Sequence, residues 1–159
     1  MNNAGRTYNI PFDELNSETF ERDINVNLKS TFMCIVASRK LMDEGWIINT
    51  ASIRGIPEAS RPGIVGYCAA KSAVISLTKS MAMQLSPKIY INAVAPGFVY
   101  TNYMNAVTED MKKQWLSQIP INRFIMPDEI AEVYLMLATT HIFTGSVIAP
   151  DGGYTLLNR

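Results

Sequence analysis

The chain has 159 residues, of which 48% are hydrophobic and 18% charged, and this balance suits one compact domain with a sizeable core. Lys plus Arg and Asp plus Glu both number 14, so the formal net charge is zero, and no basic stripe indicates a nucleic-acid or membrane-surface partner. No apolar stretch approaches the length of a membrane span, and the polar amino terminus does not resemble a secretory signal. These features predict a cytoplasmic protein.

The few cysteines and the single histidine argue against several kinds of site. Cys34 and Cys68 lack a CxxC arrangement, so they predict neither a disulfide framework nor a zinc site. Both are expected to be small, buried hydrophobic residues in helices. His141 is the only histidine, which argues against a His-based triad and against a multi-histidine metal site. We therefore expect no metal.

The amino-terminal half of the chain predicts a long helix, a buried strand and a loop. The helix covers 17–40, with Ser17 as its N-cap, acidic residues in its first turns and apolar residues at helical spacing. The segment 46–51 has the composition of a short buried strand. The segment 53–66 is rich in glycine and proline and predicts a loop.

The carboxyl-terminal half continues this alternation of helices and strands. The region 99–126 has a mixed character and contains a short helix near 109–118. Strands that alternate with long helices predict βαβ units and a parallel sheet, so the expected fold class is α/β. The other predicted elements are a helix over 67–85, a strand over 89–95, a helix over 127–138 and a strand over 146–149.

A tyrosine and a lysine four residues apart carry the clearest chemical signal. Tyr67 and Lys71 share one face of the predicted helix 67–85, and an ammonium beside a phenol favours the phenolate. Ser52 follows the strand 46–51, where its hydroxyl could bind the carbonyl oxygen on which the tyrosine acts. Together these side chains would form a proton-transfer site for carbonyl or alcohol chemistry. Alone, such a pair is also found on the surface of an amphipathic helix.

Six motifs, in a fixed order, carry a resemblance to a known family. They are Asn2-Asn3-Ala4-Gly5, Asn25-Val26-Asn27-Leu28, the strand and serine 48–52, Tyr67-Cys68-Ala69-Ala70-Lys71, the segment 92–101 and Asp151-Gly152-Gly153. With these motifs the chain resembles the short-chain dehydrogenases/reductases. Within that family, its overall sequence is most similar to the 3-oxoacyl-(acyl-carrier-protein) reductases and the sugar dehydrogenases. The resemblance implies a single, partial domain 1–159, the carboxyl-terminal portion of a Rossmann-like doubly wound parallel sheet with helices on both faces.

The resemblance also implies a role for each matching residue. Tyr67 would be the general acid/base, and Lys71 would lower its pKa and hold the nicotinamide ribose. Ser52 would bind and polarise the substrate oxygen, and Asn27 would hold a water that links Lys71 to solvent. Val99 and Thr101 would fix the nicotinamide carboxamide. The complete implied cofactor-binding set is Asn3, Gly5, Tyr67, Lys71, Pro96, Gly97, Val99 and Thr101.

Alternatives remain open at several of these positions. Without the resemblance, Asn27 fits a solvent-exposed helix position, Ser52 a loop start and Pro96-Gly97 an ordinary turn. Arg54 could meet an anionic group of a substrate or simply face solvent. The resemblance places a substrate lid over 99–126, whose apolar side chains suggest an apolar or mixed substrate. The same side chains would equally suit a helix that packs its own apolar face.

The chain departs from the family at its amino terminus. The resemblance begins at Asn2-Asn3-Ala4-Gly5, which in the family follows the fourth strand, and no glycine-rich phosphate-binding turn occurs in the chain. Roughly the first third of the expected fold is therefore not in this sequence, including the residue that would choose NAD or NADP. The strand 46–51 is expected to show a bare apolar edge. The chain would then be part of a longer product, obtain its missing half from elsewhere, or persist through association.

The resemblance implies an oxidoreductase that exchanges hydride between NAD or NADP and a small-molecule carbonyl or secondary alcohol. Because family members commonly dimerise through the matching helices, we expect a homo-oligomer that forms through the helices 17–40 and 67–85. The alternative is a truncated, non-catalytic polypeptide that only associates, through these same helices. Ser52, Tyr67 and Lys71 favour the enzyme, whereas the lack of a phosphate-binding turn favours the alternative.

Overall fold

A three-stranded parallel sheet lies at the centre of the structure, a computed structural model that describes residues 1–157. The strands stand in the order β1-β2-β3, so both neighbouring pairs are joined by a crossover that contains a helix. This arrangement confirms the predicted α/β class with a parallel sheet. The last two residues of the predicted domain 1–159 lie outside the described residues. The strands are β1 Gly45–Thr50, β2 Ile89–Val94 and β3 Val147–Ile148.

Helices cover both faces of this sheet. On one face, Ile47 and Ile91 lie in a buried cluster with α3, and on the other face Ile48 and Val94 pack against Leu137 of α5. Successive strand residues point to opposite faces, so apolar residues at consecutive positions are what a sheet covered on both sides requires. The helices are α1 Ser17–Ile24, α2 Ser30–Arg39, α3 Val65–Leu85, α4 Glu109–Leu116, α5 Pro127–Thr139 and α6 Tyr154–Leu157.

The amino-terminal segment pairs with the carboxyl end of β1. The Asn2 N–H donates to the Ile48 carbonyl oxygen at 2.8 Å, and the Thr50 N–H donates to the Asn2 carbonyl oxygen at 2.9 Å. The Asn2 side chain also donates to the buried Asn49, which in turn donates to Thr78 of α3. Apart from this short bridge, no strand within residues 1–157 covers the outer edge of β1. The predicted strand edge is therefore only partly covered, and its pairing positions the glycine that follows at residue 5.

The predicted bounds of the strands and of most helices lie within about two residues of those observed, but the helix predicted over 17–40 is not uniform. A π-helical segment, Asn25–Lys29, separates α1 from α2. The N-cap is Asn16 rather than Ser17, because the Asn16 side chain accepts from the Thr19 N–H at 3.0 Å while the Thr19 hydroxyl oxygen accepts from the Asn16 N–H at 3.1 Å.

Two further sequence predictions need correction. Cys34 is exposed on the outer face of α2, so the expectation of a buried cysteine holds only for Cys68. The loop predicted over 53–66 contains two short 3₁₀ turns, Ile53–Gly55 and Pro57–Ala59. Glycine and proline mark such a segment as non-helical without distinguishing an open loop from tight turns.

The region 99–126 forms a closed loop over the carboxyl edge of the sheet. Its ends meet where the Tyr100 N–H donates to the Ile125 carbonyl oxygen at 2.8 Å, and the Ile125 N–H donates to the Phe98 carbonyl oxygen at 3.0 Å. Inside the loop lie a 3₁₀ helix, Asn102–Ala106, and α4. A buried cluster of Met104, Val107 and Trp115 packs against Phe98 and Phe124.

Candidate active site

A cavity of about 820 Å³ opens at the carboxyl ends of β1 and β2, the edge at which open α/β sheets bind ligands. The amino-terminal segment forms one wall and the region 99–126 another. Of the residues implicated by sequence, Gly5, Ser52, Tyr67, Gly97, Val99 and Thr101 line the cavity. The cavity is not lined by Asn3, Asn27, Lys71 or Pro96. The last three of these hold lining residues or their neighbours in place by the contacts described below.

Lys71 is almost fully buried beside Tyr67. Its side chain is 3% exposed, its Nζ lies 5.6 Å from the centre of the Tyr67 ring, and it donates to the Thr50 carbonyl oxygen at 2.7 Å. The i, i+4 spacing on α3 brings the two side chains together, and the end of β1 supplies the acceptor. Burial lowers the pKa of Lys71 to about 8. Lys71 therefore carries a positive charge at pH 7 and loses it within a mildly alkaline range.

Ser52 is held at the point where β1 gives way to a 3₁₀ turn. The residue is 8% exposed, its backbone is extended, and its Oγ accepts from the Arg54 N–H at 3.1 Å. No acceptor for the hydroxyl hydrogen occurs among the side chains and main-chain groups of residues 1–157. The hydroxyl hydrogen is therefore available to an acceptor in the cavity that Ser52 lines.

Asn27 fastens the amino-terminal segment to the π-helical segment Asn25–Lys29. Its Oδ1 accepts from the Arg6 N–H at 2.9 Å, while its Nδ2 donates to the Arg6 and Asp23 carbonyl oxygens at 2.8 and 3.0 Å. Asn27 is fully buried, which contradicts the alternative of a solvent-exposed helix residue. A Cβ at Gly5 would lie only 2.9 Å from Asn27 Oδ1 and 3.3 Å from Lys71 Nζ, so a glycine is what allows these three residues to meet.

Pro96 and Gly97 connect three segments around the site. The Pro96 carbonyl oxygen accepts from the Ile53 N–H, and the Gly97 N–H donates to the Pro150 carbonyl oxygen, both at 3.1 Å. A Cβ at Gly97 would lie 2.7 Å from the Asp151 Cα, so this contact also requires a glycine. The alternative of an ordinary turn after a strand therefore misses its role, which is to join the Asp151-Gly152-Gly153 turn to the loop after β1.

Asn3 contacts β1 rather than the cavity. Its Oδ1 accepts from the Thr50 hydroxyl at 3.0 Å, and the Thr50 oxygen is also hydrogen-bonded to the Tyr134 hydroxyl of α5. Burial raises the pKa of Tyr134, and the hydrogen bond to Thr50 opposes that shift. This chain of side chains ties the amino-terminal segment to both β1 and α5.

Several cavity residues carried no signal in the sequence. Arg6 and Thr7 follow directly after Gly5, so the first motif could have suggested them. Arg61 and Ile64 lie in a segment whose glycines and prolines indicate only irregular structure. Asn9 is brought to the cavity where its neighbour Ile10 donates to the Gly63 carbonyl oxygen at 2.7 Å.

Across residues 1–157, no cluster of three or more His, Cys, Asp and Glu side chains is arranged to hold a metal ion. None of the helices described combines the length and the apolar character that crossing a membrane requires.

Comparison with known proteins places this geometry in context. Residues 1–155 match the family model described as enoyl-(acyl carrier protein) reductase. The 3-oxoacyl-(acyl-carrier-protein) reductase of Thermotoga maritima is 38% identical over 98% of this chain and 65% of its own length. The enzyme of the same name from Aquifex aeolicus is 36% identical over 96% of this chain and 63% of its own length. The chain thus spans about two thirds, or slightly less, of these relatives.

Two solved structures share the fold. The crystal structure of a 3-oxoacyl-(acyl-carrier protein) reductase from Brucella melitensis matches with a TM-score of 0.89 and 33% identity, over 96% of this chain and 61% of the other. A structure titled ElxO with NADP bound matches with a TM-score of 0.87 and 31% identity, over 96% and 65%. The family model covers nearly the whole chain, so the chain belongs to the short-chain dehydrogenase/reductase family.

Proposed function

We propose that this chain carries the catalytic and substrate-binding part of an NAD(P)-dependent oxidoreductase that interconverts a small-molecule carbonyl and a secondary alcohol. The observation that carries this proposal is the buried Lys71, whose Nζ lies 5.6 Å from the centre of the Tyr67 ring. The tyrosine lines the same cavity as Ser52, whose hydroxyl hydrogen is free to donate. This combination supplies a proton donor, a cation beside it and a hydrogen-bond donor for an oxygen.

The three side chains would divide the work by their chemistry. In the reducing direction, the Tyr67 hydroxyl gives its proton to the substrate oxygen, and in the oxidising direction the phenolate takes it back. The Lys71 ammonium favours the phenolate through its charge. The Ser52 hydroxyl donates to the substrate oxygen and stabilises the negative charge that develops there. Bound nicotinamide supplies or accepts the hydride.

The residues present fit the nicotinamide end of such a cofactor. The glycines at 5 and 97 leave the cavity walls without side chains, and the Thr101 hydroxyl and the Val99 main chain are polar groups at the same cavity. We assign Asn3 and Pro96 to the support of these walls, through Thr50 and Ile53. The relative with NADP in its title supports a nicotinamide cofactor, and the choice between NAD and NADP stays open.

Asn27 would hold a relay water beside Lys71. Both hydrogens of its amide group are already donated, to the Arg6 and Asp23 carbonyl oxygens. A water would therefore bind the remaining lone pair of Oδ1 or a main-chain oxygen of the π-helical segment, where an i to i+5 pattern alters the helical hydrogen bonds. Asn27 also fixes Arg6 and with it the cavity wall.

Association through the long helices is the second part of the proposal. Large apolar side chains are exposed along 17–40 and 67–85, including Phe32 at 40%, Met33 at 55% and Met83 at 80%. Exposed apolar side chains of this size on two helices are candidates for a contact with another copy. We propose that two copies meet there, and that the region 99–126 acts as the substrate lid. The competing reading, a polypeptide that only associates, relies on the same surface.

Replacement of the proton donor tests the enzymatic proposal. In the full-length protein, Tyr67→Phe should lower the turnover of a carbonyl substrate about 10²–10⁴-fold, because the phenyl ring retains the shape but has no proton to give. The measurement is the nicotinamide absorbance under steady-state conditions, with Tyr103→Phe, an exposed tyrosine at the same cavity, as the matched control. Near-normal turnover in the Tyr67 variant would contradict the assignment.

A further inference from the structure

A smaller cavity of about 280 Å³ adjoins the larger one on the side of α4. The two cavities share a set of lining residues and so form one continuous space; the shared residues are Arg54, Arg61, Phe98, Met111 and Trp115. No aspartate or glutamate lines either cavity, whereas Arg54 and Arg61 line both. No carboxylate among the lining residues balances the positive charge of the two arginines, so the joined cavities favour an anionic group.

Arg54 is held rigidly at the junction of these cavities. Its Nη1 donates to the Ala59 carbonyl oxygen at 2.8 Å and to the Tyr154 hydroxyl oxygen at 3.1 Å. Its guanidinium carbon lies 5.4 Å from the centre of the Phe98 ring and 5.2 Å from that of Tyr154. Aromatic contacts and hydrogen bonds therefore fix the side chain before any ligand arrives.

The other edge of this guanidinium is uncommitted. Both hydrogen bonds use Nη1, and within residues 1–157 the Nη2 and Nε groups of Arg54 have no acceptor and no carboxylate within ion-pair distance. A guanidinium edge with two parallel N–H donors matches a carboxylate or a phosphate bidentately. Arg54 uses Nη1 for hydrogen bonds within the protein, and its Nε and Nη2 groups remain free to donate. This arrangement suits a carboxylate or phosphate ligand.

Arg54 is also coupled to the reacting end of the site. The same residue donates its main-chain N–H to Ser52 Oγ at 3.1 Å, so the serine hydroxyl and the guanidinium belong to one turn, Ile53–Gly55. The small cavity is also lined by Gln114 of α4 and by Gln118, which follows that helix, and both carry neutral amides. A substrate whose oxygen binds Ser52 would thus extend along the aromatic residues of the small cavity toward the guanidinium of Arg54.

We propose that Arg54 determines specificity by binding an anionic oxygen group, a carboxylate or a phosphate, at the end of the substrate away from its carbonyl. The substrate class is accordingly an oxo or hydroxy compound that carries such a group on an apolar body, which packs on Phe98 and Trp115. This inference rests on the proposed function for the position of the reacting oxygen. Arg61, which is exposed at the rim, adds positive charge to the entrance.

Equilibrium binding without any nicotinamide separates this inference from the proposed function. The probes carry the hydroxyl and the second group at opposite ends of an aromatic ring: 4-(1-hydroxyethyl)benzoate, its neutral counterpart 4-(1-hydroxyethyl)benzamide, and 4-(1-hydroxyethyl)phenyl phosphate, each titrated into the full-length protein by calorimetry. The acid should bind at least tenfold more tightly than the amide, because only the acid forms a charge-assisted pair. Arg54→Met should reduce that ratio to near one, while Arg39→Met, which replaces an exposed arginine on α2, should preserve it.

The possible outcomes each decide the matter. Equal affinity for acid and amide, no detectable binding of the acid, or a preference that persists in folded Arg54→Met would overturn the proposal. If that variant fails to fold, side-chain NMR of arginine-labelled wild-type chain replaces it: the Arg54 Nε signal must shift with the acid and not with the amide, and an unmoved signal overturns the proposal. Tighter binding of 4-(1-hydroxyethyl)phenyl phosphate than of 4-(1-hydroxyethyl)benzoate assigns the class to phosphates. Absence of hydride transfer in the full-length protein would refute the proposed function and leave these binding ratios unaffected.

Discussion

Two buried ionisable side chains on neighbouring helices differ in how the fold treats them. Lys71 on α3 is 3% exposed and donates to the Thr50 carbonyl oxygen at 2.7 Å, at the edge of a cavity. Asp23 on α1 is 1% exposed, and its Oδ1 has no hydrogen-bond partner among the residues described. Burial of an ionisable side chain therefore does not by itself mark an active site. What distinguishes Lys71 is an acceptor for its proton and a cavity residue, Tyr67, beside it.

Burial disfavours the charged form of both side chains, which is a cation for Lys71 and an anion for Asp23. The two pKa values therefore move in opposite directions. Burial lowers the pKa of Lys71 to about 8, since the ammonium is disfavoured away from water. Burial raises the pKa of Asp23, although the neighbouring positive charge of Arg22 opposes that shift. Three stability measurements test whether burial affects the two side chains in this way.

The largest expected effect concerns the pH dependence of stability around Lys71. Below about pH 8 the lysine is charged in both the folded and the unfolded state. Between pH 8 and its ordinary pKa of 10.5 the unfolded state holds the extra proton, so the free energy of unfolding rises with pH. The rise should be on the order of 3 kcal/mol, at about 1.4 kcal/mol per pKa unit. Lys71→Met should remove it.

Urea denaturation at several pH values measures this effect as the difference between the wild type and the variant. Lys79→Met, an exposed lysine on the same helix, is the matched control and should leave the rise in place. A Lys71→Met difference that stays constant from pH 7 to about 10.5 would show that the lysine is not desolvated as the structure indicates.

The next effect concerns the contact between Asp23 and α3. A Cβ at Gly66 would lie 2.6 Å from Asp23 Oδ2 and 2.8 Å from Asp23 Cβ, so Gly66→Ala should overpack the contact and cost about 2 kcal/mol of stability. In the double variant Gly66→Ala, Asp23→Ala, the cost should shrink but not vanish, because the carboxylate is gone while the Cβ of residue 23 remains. Chemical denaturation of the four proteins gives the coupling, and strict additivity would exclude this close approach.

The smallest effect is a stabilising one. Because the pKa of Asp23 is raised in the folded state, its ionisation opposes folding as the pH rises through that value. Asp23→Asn, which cannot ionise, should therefore be slightly more stable than the wild type at pH 7. The advantage should disappear below the ordinary pKa of 3.8. Thermal unfolding at pH 3 and pH 7 is the measurement, and Asp43→Asn, at an exposed position, is the control.

The features that the sequence could predict are those encoded at short range. The i, i+4 spacing of Tyr67 and Lys71 and the apolar run before Ser52 are local, so the helix, the strand and their order followed from periodicity. The resemblance to a family then placed these residues at one site, and the structure brings Ser52 and Tyr67 to one cavity with Lys71 beside the tyrosine.

The features that could not be predicted depend on contacts distant in sequence. Arg61 reaches the cavity through the path of an irregular segment, and no local pattern encodes that path. Asn27 is buried because the Arg6 backbone lies against it, a contact between residues 21 positions apart. Cys34 was expected to be buried because cysteines usually are, but it lies on the outer face of α2.

The properties of the 159 residues alone test how much of the fold they contain. The chain has no glycine-rich turn to supply backbone N–H groups to a pyrophosphate, so we expect NAD(H) and NADP(H) to bind it very weakly. The partly covered edge of β1 should make it oligomeric or poorly soluble. Calorimetric titration and light scattering measure both properties. Micromolar binding by a monomer that remains in solution would contradict both expectations.

In the proposed mechanism the Lys71 ammonium assists proton transfer by Tyr67, and the pH–rate profile of the full-length protein tests this role. The profile of kcat/KM for alcohol oxidation, which needs the phenolate, should shift to higher pH in Lys71→Met, because removing the cation removes what favours the phenolate. Lys79→Met should keep the wild-type profile. A Lys71→Met enzyme with an unshifted profile would contradict the account and reduce the pair to a contact between two neighbouring side chains on a helix.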